Sequence, residues 1–173
     1  MALSYDTQVE LLFPPVLFQD STCAPILQRL GISLEARGNK ILLFTDPHTV
    51  AALNAADENV KEAFRSSGIG LVLYGWNLRG RADFLLGRLR EFSAKYADEA
   101  LSLAVFDLLR FVQHGMMGKL DPNPFAAQLP ASTPSEKFDI VAALQAMTSP
   151  EQMNKPKAPD HLRASRAFGR RAL

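Results

Sequence analysis

The 173-residue chain predicts an α+β fold, with N-terminal strands, a β-hairpin and a helix packed against a further strand and a helical hairpin. Three observations carry this expectation. Short β-prone runs broken by Pro and Gly fill the first half, apolar residues recur at helical spacing between residues 81 and 115, and the composition turns polar beyond Thr148. They predict one domain over residues 1–147, divisible at most into parts 1–68 and 69–147, and a flexible basic tail over 148–173. A chain of this length buries roughly two-thirds of the surface its unfolded form exposes.

In the first twenty residues Val9, Leu11, Phe13, Val16 and Phe18 suit one or two short strands around the Pro14-Pro15 break. Ser21 or Thr22 caps a short helix over 24–30, with Pro25 in its first turn. The β-prone runs 32–37 and 40–45 flank Gly38-Asn39, residues that tolerate the positive φ of a two-residue turn, so the pattern predicts a hairpin. Asp46-Pro47 then opens a helix through an N-cap and a first-turn proline. Val50, Leu53, Val60 and Phe64 line one face of it, Asp57-Glu58-Asn59 is a candidate break, and Ser66-Ser67-Gly68 ends it.

Residues 69–78 read as a second strand, followed by two amphipathic helices. The first, 81–96, puts Leu85, Leu89, Phe92 and Tyr96 on one stripe, with Leu86 beside it. The second starts with Asp98 as N-cap, turns Leu101, Ala104, Val105, Leu108 and Val112 inward, and stops near Gly115. Four prolines between 120 and 135 predict a loop or extended arm, and 136–147 a short amphipathic helix with Phe138, Val141 and Leu144.

No apolar run approaches the ~20 residues that a membrane span requires. The first twenty residues lack a basic region and are interrupted by Glu10 and Pro14-Pro15, which predicts no secretory signal. The single Cys23 fits a reducing compartment, and the cytoplasm is the expected location. A net charge of +1 conceals an asymmetry: residues 1–150 carry 13 basic and 16 acidic groups, whereas the tail carries six basic against two acidic ones. Arg163, Arg166, Arg170 and Arg171 would attract a polyanion through counterion release.

Leu27, Leu30-Gly31-Ile32-Ser33-Leu34, Gly38-Asn39 and the closing helix with Lys61 resemble the small docking domains at the termini of modular synthases, which implies a protein partner. Tyr74-Gly75-Trp76-Asn77-Leu78-Arg79, with the two helices that follow, resembles the ribbon-helix-helix family of Arc/MetJ-type DNA-binding proteins over residues 69–114. That resemblance implies a homodimer whose paired strands enter the major groove. Tyr74, Trp76 and Leu78 would face inward; Asn77 and Arg79 would face the bases, helped by Arg81 and Arg88. The implied function is a non-enzymatic DNA-associated regulator of the kind carried by plasmids and other mobile elements. Gly75 has no side chain to read with, and Asp98 and Glu99 would repel a phosphate at the second helix. The same residues also resemble the phosphate corner of the ParB/sulfiredoxin superfamily, which would make Gly75, Arg79 and Arg81 part of a nucleotide- or DNA-processing site. The family's Gly-x-x-Arg spacing is not met, since Arg79 lies four residues after Gly75.

Nothing calls for a cofactor: no Walker loop, dinucleotide glycine turn or nucleophile elbow is present. His48, His114, His161 and Cys23 match no zinc spacing, so no metal is expected.

Overall fold

The computed structural model describes residues 2–132 and 136–147. The tail expectations, Arg163, Arg166, Arg170 and Arg171 included, lie outside the described residues. Among the described residues an antiparallel pair of strands, β1 (Thr7–Leu11) and β2 (Lys40–Phe44), is combined with six α-helices. These are α1 (Cys23–Arg29), α2 (Pro47–Ala55), α3 (Glu58–Ser66), α4 (Leu78–Lys95), α5 (Asp98–Met116) and α6 (Ile140–Met147). The class is α+β, as the patterning implies. None of the described helices is long and apolar enough to cross a membrane.

The two-residue periodicity of β2 organises the interior. Ile41 and Leu43 enter one apolar cluster with residues from α1, α4 and α5. Leu42 and Phe44 face a second one with Val50, Leu53, Phe64 and Ala143. In that second cluster Phe138 sets its ring edge-on to Phe44 and Phe64, with centroids 5.9 and 4.9 Å away. Both clusters draw on residues before and after residue 68.

The expected hairpin is not formed. β2 does arise from the second run, but its partner is β1, in the register Thr7↔Phe44 to Leu11↔Lys40. Residues 32–36 form no strand, and Arg37–Asn39 is a single 3-10 turn. Asn39 supplies the reason. Its buried side chain accepts from Phe13 N at 2.7 Å and donates to Phe13 O and Ser33 O at 3.1 and 3.2 Å. Its carbonyl accepts from Leu12 N at 2.9 Å. The amide thus continues the β1 pairing for one more residue, and the turn is tied to the N-terminal segment.

Residues 69–78 are likewise no strand. The alternation is real, since Ile69 and Leu71 belong to one cluster and Val72 to the other. The backbone partners, however, are scattered. Ile69 bridges Leu42, Leu71 N donates to Met116 O, Leu71 O accepts from Asn54 Nδ2 and Tyr74 N donates to Phe44 O. The segment is a connector, buried over residues 69–72, that turns at Gly75, whose φ is 71°, a conformation glycine adopts without strain.

Other boundaries agree with the residues that set them. Asp46 Oδ2 accepts from Thr49 N at 2.8 Å and caps α2, with Pro47 in its first turn. The Asp57 region separates α2 from α3. At α1 the capping carboxylate is Asp20, accepting from Thr22 N and Cys23 N at 3.0 Å, rather than Ser21 or Thr22. Asp98 is the first residue of α5, with φ 47°, and its side chain does not cap the helix. The proline-rich arm is pinned by Phe125, whose ring lies against Gly115, and by Asn123, whose Nδ2 donates to Gly115 O at 2.8 Å. In the last helix Phe138 precedes the first turn, and Val141, expected on the inner face, is exposed.

Candidate functional site

The four residues singled out for DNA contact occupy α4 and the turn before it. Trp76 N donates to Leu73 O at 3.3 Å to close that turn. Asn77 follows in the left-handed region with φ 45°, its carbonyl accepting from Arg81 N at 2.9 Å and its side chain lying over Gly80. Because Tyr74 to Leu78 is no strand, it offers no alternating face for Asn77 and Arg79 to read bases as a ribbon would.

Arg81 is the residue the structure uses most fully. It is buried, and its Nη2 donates to Glu10 Oε1 at 2.7 Å. Its Nε donates to Trp76 O at 3.0 Å, and Nη1 lies 3.8 Å from Met116 Sδ. Glu10, equally buried, uses Oε2 to accept from Gly75 N at 3.0 Å. The pair thus ties β1, the 74–77 turn, α4 and α5 at one point, and Arg81 has no free face for a phosphate or a base.

The remaining cations of α4 are mostly committed as well. Arg88 pairs with Glu91 at 3.0 Å, and its guanidinium sits 5.1 Å from the Phe92 ring centroid. Arg90 donates to Asp20, whose carboxyl is held well below the usual range by Arg90 and by the backbone N–H of Cys23. Lys95 lies 5.4 Å from the centroid of Tyr96. Among the described residues Arg79 is exposed and makes no ion pair. The local basic excess is therefore largely neutralised within the fold.

Other chemistry-bearing groups are held apart. Burial, reinforced by Asp20, pushes the Cys23 thiol up to about 12, far from a reactive thiolate at neutral pH. Among the described residues no group of three or more His, Cys, Asp or Glu is placed to hold a metal ion. The cleft between the ends of α3 and α5 is lined by Glu62, Arg65, Gln113, His114 and Lys119. Arg65 is already spent there, donating to Met117 O at 2.9 Å and pairing with Glu58 and Glu62.

What sequence reasoning missed is apolar. Among the described residues seven large hydrophobic side chains are exposed, and four of them, Phe84, Leu103, Phe106 and Phe111, lie on the helical hairpin. The Phe84 and Phe111 rings are 6.5 Å apart, and Phe111 stands edge-on to the buried Phe125 at 5.9 Å. An aromatic file therefore runs from the surface into the core. Its signal was present in the sequence as large apolar residues lying off the core stripes of the two helices. The chain matches no protein-family model, no curated protein and no solved structure.

Proposed function

We propose that this chain is a non-enzymatic protein-binding module, an adaptor or regulator, that holds its partner on the flank of α4 and α5 around Phe84 and Phe111. The observation that carries this reading is the exposed aromatic pair, backed by Phe125, with the exposed Arg88 one helical turn after Phe84 on α4. Aromatic side chains seated on a rigid base give up little conformational entropy on binding, and such residues with a neighbouring arginine make the centres of protein interfaces. A paired helix surface is also rigid enough to hold that geometry. Capture experiments test the reading: a partner retained by the wild-type protein is expected to be lost from Phe84→Glu and kept by Arg79→Ala. Retention of the same partner by Phe84→Glu would remove this surface from consideration.

A second reading, DNA association as a regulator of a plasmid or other mobile element, draws on Asn77 and Arg79, exposed together at the start of α4. With residues 74–77 folded as a turn, binding here would be largely electrostatic and steeply salt-dependent. A salt titration on duplex DNA tests it, with Arg79→Ala expected to make the salt dependence shallower by about one charge. Absence of duplex affinity at low salt ends this reading.

A further inference from the structure

Helix α5 carries two stripes. Leu101, Val105, Leu108 and Val112 enter the core. On the side turned away from them, Glu99, Leu103, Phe106, Arg110 and Gln113 follow one another at alternating intervals of four and three residues. That is the spacing of a coiled-coil seam, and here it lies on an outer surface. Leu103 is 60% exposed and Phe106 43%. Among the described residues the guanidinium of Arg110 pairs with Asp107 alone, in a solvent-exposed contact at 3.8 Å along the same helix.

We infer that this ridge is a homodimer interface, in which α5 packs antiparallel on α5 of a second copy. The occupant follows from the order of charges. In an antiparallel seam each position of one type faces the other type on the partner helix, so placing Leu103 opposite Phe106 brings Glu99 opposite Arg110. A two-fold axis repeats both contacts: two apolar pairs form the centre, and an acid–base pair closes each end. The ridge is thus complementary to itself in one register, with the helix dipoles opposed. Slipping the register by a turn would bury charge against Leu103 or Phe106. The interface differs from the strand pairing expected from sequence, and it uses the side of α5 away from Phe111. It does not depend on the protein-binding reading of the Phe84 flank.

The contact is short, about 17 Å of helix between residues 99 and 110, so the dimer is expected to be weak and to assemble in the micromolar range or above. Sedimentation equilibrium from about 1 μM to about 1 mM on the full chain measures it. Glu99→Arg and Arg110→Glu each replace two attractive end contacts with two repulsive ones, and each alone is expected to weaken association by about tenfold or more. Mixing the two variants restores both ends. At one end the introduced arginine faces the introduced glutamate, and at the other the unaltered Glu99 and Arg110 meet. The mixture is therefore expected to recover wild-type association as a heterodimer. The milder Glu99→Gln and Arg110→Gln read the same contacts should a reversal disturb folding, each loosening the dimer several-fold. A protein monomeric over the whole range overturns the inference. So does a dimer indifferent to these changes, or a mixture that stays monomeric.

Discussion

Removing the Glu10 carboxylate isolates the most consequential polar contact in the fold. Glu10 and Arg81 are 5% and 8% exposed, so neither can exchange its partner for bulk water. In Glu10→Ala the guanidinium keeps Trp76 O but loses the one carboxylate it pairs with among the described residues, and Gly75 N loses its acceptor. Stranding one member of a buried ion pair costs about 3–5 kcal/mol, a large share of the roughly 5–15 kcal/mol that stabilises a domain. Arg81→Ala is expected to cost a similar amount, since Glu10 is then left with one amide donor. The two losses describe the same contact, so Glu10→Ala/Arg81→Ala is expected to fall short of their sum by about 2 kcal/mol or more. Urea unfolding followed by circular dichroism gives all three values. A Glu10→Ala variant within about 1 kcal/mol of wild type, or strictly additive losses, would refute a desolvated pair in favour of a water-screened one.

Asn39→Ala removes three side-chain hydrogen bonds from a buried turn and leaves Phe13 N and O without these partners; a loss of about 2–4 kcal/mol is expected in the same assay, and a change below about 1 kcal/mol would show the turn is held by packing alone. Gly115→Ala places a methyl group against the Phe125 ring and is expected to lower stability by about 1–3 kcal/mol; a neutral result in thermal melts would mean that the arm is not seated on α5. Cys23 is expected to resist thiol alkylation at neutral pH until the protein unfolds, and rapid labelling of the native protein would contradict its burial. Because folding raises this thiol from 9.0 to about 12, its contribution is intact below pH 9 and is lost as pH rises toward 12, where only the unfolded thiol ionises; stability should therefore decline over that window more steeply than in Cys23→Ala.

The parts of this fold legible in the sequence are those fixed by neighbours. Asp46-Pro47 starts α2 through a cap that reaches only as far as Thr49, and the inner stripes of α4 and α5 follow helical spacing. What escaped depended on distant partners. Gly38-Asn39 has the composition of a hairpin turn, but Asn39 is used 26 residues away, at Phe13. Residues 69–78 alternate like a strand because they run between two cores, while their hydrogen bonds go to Met116, Asn54 and Phe44. Arg81 belonged to a run of arginines that read as a basic surface; its anion is Glu10, 71 residues earlier, and only the packed structure brings them together. The same limit hid the apolar face, since Phe84 and Phe111 become a pair only once the two helices are side by side.

The most direct measurement compares wild type, Phe84→Glu and Arg79→Ala side by side for capture of a protein partner and for affinity to duplex DNA at low salt. A protein retained by wild type and Arg79→Ala and lost from Phe84→Glu, with no duplex affinity in any of the three, is the expected result. Duplex binding that falls with Arg79→Ala and is unchanged by Phe84→Glu would contradict it, and would move the working surface from the aromatic flank to the start of α4.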